Sequence, residues 1–361
     1  MKNSFGNSIT VTLFGESHGD YIGAVLDGLA PGMKIDHEYI KAKLNLRRPG
    51  GTISTSRVED DEYQIVSGVF NGRTTGTPLC LLIPNKKQHS KDYGDRLDIP
   101  RPSHADYTAE CKYHGYEDHR GGGHFSGRIT AALVGVGAIL QSALESKGIK
   151  IGSHITELHG AFDRTFENIE EDLDLLKTKH FPVLTDEAEE RMVKEIEKAR
   201  SQGDSVGGIL ESGIIGLPAG VGEPWFDTVE GMLAHALFSI PAVKGVEFGA
   251  GFSLSRMRGS EANDPFEVKD GAITTTTNNC GGILGGITNG MPLLFKTAIK
   301  PTPTISREQS TVDMKTLENT TLSAAGRHDP CIVHRARVVA DSVTALVLCD
   351  LLTQKYGTDG F

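Results

Sequence analysis

Residues 101–128 read RPSHADYTAECKYHGYEDHRGGGHFSGR, gathering four histidines, four basic side chains and three consecutive glycines into 28 positions. Imidazoles move protons near neutral pH and guanidinium groups bind anions, so the mixture suits proton transfer beside a bound anion. Gly121, Gly122 and Gly123 bring bare backbone amides close to a ligand, Ser126 offers an N-cap, and Arg120 and Arg128 flank the loop with fixed charge.

Three other turns collect similar chemistry. Residues 15–19 (GESHG) place His18 between glycines, residues 47–51 (RRPGG) place Arg47 and Arg48 before a proline, and residues 278–329 hold NNCGGILGG, KPTPT and GRHD. Each has a plain structural explanation: a histidine in an ordinary turn, or two arginines complementing the dipole at a helix C-terminus. Four such turns, all at the ends of apolar elements, point instead to one composite site.

Other chemistries fit less well. His104, His114, His119 and His124 are spaced ten, five and five apart, without the i, i+4 pair or CxxC geometry of a metal site. The glycines of residues 281–286 lack GxGxxG spacing, and no phosphate-binding P-loop is present. Ser17 and Ser126 lack a GxSxG elbow, which weakens nucleophilic catalysis.

The elements that must position these turns follow from periodicity. Residues 9–14 (ITVTLF) read as a strand that delivers His18, and Asp36 caps a helix through Leu46 that Pro49 ends. Asn71-Gly72 is a hairpin signal between strands at residues 63–70 and 78–83. The apolar run 129–140 predicts a buried helix reaching about Lys147, followed by strands at 149–158 and 205–217. Asp227 to Glu230 has capping-box spacing and opens a helix to Ile240; a short strand follows within 241–251, then another at 292–299. Residues 338–356 form a C-terminal helix. Residues 163–200 read as a peripheral, solvated helical segment, and residues 84–104 and 256–279 as mobile loops, the first a lid ending at His104. With no repeat, low-complexity tract or linker, residues 1–361 are expected to form one interwoven α+β unit.

Composition narrows the partners. The chain carries 37 Lys and Arg against 47 Asp and Glu, a formal net charge of −10, which disfavours nucleic acid or anionic membrane. Arginines clustered within an acidic chain point to a small polyanion. Five scattered cysteines without a CxxC pair, the lack of an 18-residue apolar stretch, and a polar start predict a cytoplasmic protein.

In order along the chain, FGESHG (14–19), RRPG (47–50), HADYT (104–108), RGGGHFSGR (120–128), AVKGVE (242–247), GGILGGI (281–287) and GRHDPC (326–331) resemble the chorismate synthase family over nearly the whole length. The resemblance implies a β-α-β layered sandwich with helices between antiparallel sheets, a homotetramer, and reduced FMN as cofactor. The implied reaction is the anti-1,4-elimination of phosphate from 5-enolpyruvylshikimate 3-phosphate to give chorismate. A substrate with a phosphate and two carboxylates matches the arginine-rich turns. By similarity, Arg47, Arg48, Arg128 and Arg327 would bind substrate or adjacent cofactor anions. His18 would be the acid toward the departing phosphate, His104 would serve the reduced flavin, and Asp329 would help it accept the C6 proton. The flavin site would comprise His124, Phe125, Ser126, Pro241, Ala242, Gly285, Lys300, Pro301, Thr302, Pro303, Thr304 and Arg327. Two positions depart from the family's usual pattern: His124 stands where many members carry arginine, and Pro241 where many carry asparagine. The flavin would be reduced by NAD(P)H on the protein or by an external flavin reductase. A flavin reductase or an anion-binding protein without catalysis are the alternatives, and the trio His18, His104 and Asp329 favours catalysis.

Overall fold

The computed structural model describes residues 2–49, 53, 61–86, 98–323 and 329–360. Two antiparallel five-stranded sheets enclose a layer of helices. The first sheet runs Ser4–Phe5, Thr10–Gly15, Tyr21–Asp27, Leu79–Pro84, Gln64–Ser67 in spatial order. The second runs Val243–Phe248, Leu293–Ile299, Gly208–Ile215, Lys150–Leu158, Ala161–Phe162. Between them lie Thr130–Ser146, which packs on the first sheet, and Val333–Tyr356, which packs on the second and on Thr130–Ser146. This is the α+β sandwich expected from the motifs.

Strand alternation explains the layering. In Leu79–Pro84 the side chains of Leu79, Leu81 and Ile83 are buried, and in Leu293–Ile299 those of Leu293, Phe295 and Ile299. Each such fully buried side chain contributes roughly 1.5–3 kcal/mol by removal from water. The two central helices approach closely because Gly137 faces Ser342: a Cβ on Gly137 would lie 2.3 Å from Ser342 Cβ. The chain ends are also joined, since Asp350 accepts backbone N–H bonds from Asn7, Ser8 and Ile9 at 3.0, 2.7 and 2.9 Å.

Among the described residues Gly127–Ser146 alone is long and apolar enough to cross a membrane, yet 72% of that window is buried inside the protein, in keeping with the buried helix expected there. Several other sequence expectations need correction. The helix after residue 227 is capped by Thr228, whose hydroxyl accepts from Gly231 N, and spans Val229–Leu237. Residues 256–279 are not an irregular loop: they contain the short helix Gly259–Ala262 and the hairpin Phe266–Lys269 with Ala272–Thr275. The segment after residue 163 adds a helix, Ile169–Leu176, and its longer helix Asp186–Ser201 buries Ala188, Met192, Ile196 and Ala199 rather than being wholly solvated. The C-terminal helix begins five residues earlier than expected, and the hairpin Gln309–Asp313 with Glu318–Leu322 was not anticipated. Residues 87–97 of the lid expected at 84–104 lie outside the described residues.

Candidate functional site

The site begins where the first sheet ends. Thr10–Gly15 delivers the turn carrying Ser17 and His18, and that turn is held from two sides. Asn85, just past Leu79–Pro84, donates its amide to Glu16 O (3.0 Å) and Gly19 O (2.7 Å). From the glycine loop, Gly123 O accepts Ser17 N at 3.0 Å. Gly121, Gly122 and Gly123 all have positive φ, as the triple glycine requires. His18 is buried directly under Gly121, where an added Cβ would lie 2.2 Å from His18 Cε1. His124 Nδ1 lies 2.8 Å from Gly15 O; a carbonyl only accepts, so Nδ1 carries the proton.

The second wall is cationic. His37–Arg47 ends with Arg47 buried, its guanidinium donating to Thr130 Oγ1 (3.0 Å), Gly127 O (2.9 Å) and Asp61 Oδ2 (3.2 Å). Asp61 also pairs with Arg128, whose Nε donates to Asn85 Oδ1 at 3.0 Å. Arg47 thus works largely as a brace between helix and glycine loop. Arg48 lines the cleft, and its buried Nε meets no acceptor among the described residues. Arg335 donates to Arg47 O at 2.8 Å and to Asp329 Oδ2 at 2.6 Å, fixing the carboxylate. Arg120, expected beside the site, turns to Asp118 and does not line the cleft.

The third wall joins residues about 200 positions apart. Lys300 Nζ donates to Ser103 O at 3.0 Å and its backbone N to Ala242 O at 2.9 Å. Burial, with help from nearby Lys244, pushes the Lys300 ammonium below its usual pKa. Arg101 reaches toward Thr304 Oγ1 at 3.5 Å and grips Asp106 with its backbone N and its guanidinium. Asp106 in turn lies 2.6 Å from His104 Nδ1.

These walls enclose a cleft of about 1480 Å³. Arg47, Arg48, Arg128, His104 and Asp329 line it, as do His124, Phe125 and Ser126. So do Pro241, Ala242, Lys300, Thr302, Pro303 and Thr304. The buried Thr302 hydroxyl, like Arg48 Nε, meets no partner among the described residues. His18 and Pro301 adjoin the lining without forming it. Gly285 does not line it, lying at the turn between Ile283–Leu284 and Ile287–Thr288. Arg327 lies outside the described residues. Among the described residues the only lining carboxylates are Asp61 and Asp329, against several Arg and Lys, within a chain of net charge −10.

Sequence reasoning missed Asp61, Asn85, Arg101, Asp106, Thr130 and Arg335. Arg101 and Asp106 carried a signal, since they flank a site histidine within five residues. The others become legible only when distant segments meet.

A family model described as chorismate synthase matches residues 9–353. The chorismate synthase of Dehalococcoides mccartyi is 48% identical over 354 residues, covering 97% of this chain and 96% of the relative. That of Thermococcus kodakarensis is 46% identical over 356 residues, covering 98% and 99%. A crystal structure of chorismate synthase aligns with a TM-score of 0.78 at 30% identity, covering 99% of this chain and 95% of that one.

Proposed function

The chain belongs to the chorismate synthase family, and on that premise we propose that it eliminates phosphate from 5-enolpyruvylshikimate 3-phosphate to give chorismate, with reduced FMN bound. The observation that carries the reading is the cation-rich cleft with two lining carboxylates, both already paired with arginine. A substrate bearing a phosphate and two carboxylates is bound there, and fixed cations stabilise charge building on the leaving phosphate.

The elimination breaks the C6–H bond and the C–O bond to phosphate, forms a C=C bond, and releases one proton with the phosphate. His18, buried beneath Gly121 at the head of the cationic wall, supplies the proton to the departing phosphate. Asp329, held by Arg335, handles the proton leaving C6. His104 faces the cofactor side from the third wall.

The cleft suits FMN. It exceeds the ~300–1,000 Å³ of a typical single-ligand pocket, leaving room for cofactor and substrate together. Leu133, Ile332, Val339, Val343 and Leu346 give it an apolar wall for a planar ring, and Arg48 Nε and the Thr302 hydroxyl are buried polar groups without a partner among the described residues. His124 to Ser126, Pro241-Ala242 and residues 300–304 would hold the flavin. When bound in reduced form, it supplies an electron-rich ring that assists the elimination without net redox change.

The proposal extends to a cytoplasmic homotetramer whose flavin is reduced by NAD(P)H on the protein or by a separate reductase. Exposed Trp225, Phe226 and Phe252 offer surface for assembly. An anaerobic assay with substrate and chemically reduced FMN should release phosphate and chorismate in equal amounts. His18→Ala should lower turnover at least tenfold, a conservative floor against the ~10²–10⁴-fold that general acid–base catalysis contributes. Absence of phosphate release would leave only the flavin-reductase or anion-binding alternatives.

A further inference from the structure

We propose that Asp106 is a positioning residue for His104, forcing the imidazole to carry its proton on Nδ1 and to turn Nε2, as the acceptor edge of the neutral ring, toward Gly122 and the cleft. The proposal concerns how His104 is set up, and its catalytic consequence rests on the reading above.

The hydrogen-bond inventory leaves one arrangement. Asp106 Oδ2 accepts from the backbone N and Nε of Arg101 at 2.9 and 2.8 Å. Its Oδ1 accepts from Arg101 Nη2 at 2.8 Å and lies 2.6 Å from His104 Nδ1. An ionised carboxylate only accepts, so the Nδ1 edge must donate. Arg101 Nη2, 3.1 Å from the same Nδ1, is itself a donor and would favour a bare Nδ1, but it already donates to Asp106 Oδ1 at 2.8 Å, and the shorter 2.6 Å contact between Nδ1 and the carboxylate decides the assignment. On the other edge, the position of a Cβ on Gly122 lies 3.6 Å from His104 Nε2 and 3.5 Å from Cε1, so that edge faces the glycine loop.

The carboxylate stays ionised across the working range. Burial alone would raise the Asp106 carboxyl, but the hydrogen bonds from Arg101 and His104 and their charge outweigh it and hold it far below the usual carboxylate value. The turn is fixed at both ends as well. Asp106 opens the helix Asp106–Tyr113, and Ser103, at φ +60°, gives its carbonyl to Lys300. A buried carboxylate that holds one tautomer of a functional imidazole, and is itself gripped by an arginine, leaves the ring little freedom to flip.

Asparagine at this position tests the idea at almost constant volume. Its amide has one acceptor oxygen and one donor nitrogen, whereas all four present partners of the carboxylate are donors. Satisfying Arg101 at the Oδ2 position puts the new NH₂ against His104 Nδ1, which must then accept and move its proton to Nε2.

The experiment is nitrogen-15 NMR of histidine-labelled full-length protein without flavin or substrate, the His104 signal being assigned by its loss in His104→Gln. The expected result is an Nδ1–H tautomer in the wild type at alkaline pH and an Nε2–H tautomer in Asp106→Asn. Turnover of Asp106→Asn should fall at least tenfold while KM changes less than twofold. A wild-type Nε2–H tautomer would overturn the proposal whether or not the variant folds. So would a variant that keeps Nδ1–H, or one that switches tautomer at unchanged turnover. Because the tautomer is read without substrate, failure of the lyase reading and failure of this proposal give different results.

Discussion

At the scale of single residues, Gly121 is tightly constrained against a functional side chain. Its φ of +60° and the 2.2 Å between an added Cβ and His18 Cε1 mean that any side chain must displace the imidazole or the loop. The left-handed backbone costs a non-glycine residue only about 1–2 kcal/mol. Gly121→Ala should therefore melt a few degrees lower at most yet lose at least tenfold in turnover, through a misplaced His18. Thermal melting and steady-state kinetics check this together, and turnover within twofold of wild type would refute it. The glycines and cations of the cleft could be read from sequence because φ > 0 and fixed charge belong to residue type. The carboxylates could not: Asp61 matters only because folding sets it between Arg47 and Arg128, and Asp106 resembles any acidic residue in a first helical turn.

At the scale of elements, Asn85 couples the end of one strand to the turn that follows another. It donates to Glu16 O and Gly19 O and accepts from Arg128 Nε, so it ties the His18 turn to the cationic wall. Asn85→Ala leaves two carbonyls and a guanidinium N–H without their partner, at roughly 1–3 kcal/mol. Asn85→Asp keeps a partner for Arg128 but sets a carboxylate against both carbonyls. If the turn is what matters, both variants should lower turnover to a similar extent. A fully active Asn85→Asp would show that only the contact to Arg128 counts. Strong elements were legible here: Thr10–Gly15, His37–Arg47 with its Asp36 cap, and the Asn71-Gly72 turn with φ of +50° and +72°. The ribbons were not. Gln309–Asp313 (QSTVD) and Glu318–Leu322 (ENTTL) bury neither face, so they show no apolar alternation. In residues 266–275 the Asp270-Gly271 turn signal was lost among polar neighbours.

At the scale of the whole molecule, the cleft and the segment 163–200 are attached to different parts of the sandwich, and a buried histidine secures the latter. His154, on Lys150–Leu158, lies 2.8 Å from Glu211 Oε2 on the neighbouring strand and 3.6 Å from Asp163 Oδ2. Asp163 also accepts from Leu184 N and from the hydroxyl of Thr185, the N-cap of Asp186–Ser201. Burial alone would depress the His154 imidazolium, but the close Asp163 and Glu211 carboxylates, the latter hydrogen-bonded to it, outweigh burial and raise its pKa above the ordinary 6.5. A folded-state pKa above the unfolded one means that His154 contributes its full stability below about pH 6.5 and loses it as pH climbs through the folded value. Asp163, held below the usual carboxylate range, remains charged throughout that window, so the loss belongs to the histidine. Hydrogen exchange, expressed as opening free energy to remove the intrinsic pH dependence, should show residues 163–200 loosening as pH rises while Thr10–Gly15 stays protected. In His154→Gln the same segment should be looser at low pH and lose that slope. A wild-type segment indifferent to pH, or a variant with the wild-type slope, would mean that the carboxylates hold the segment without the imidazolium.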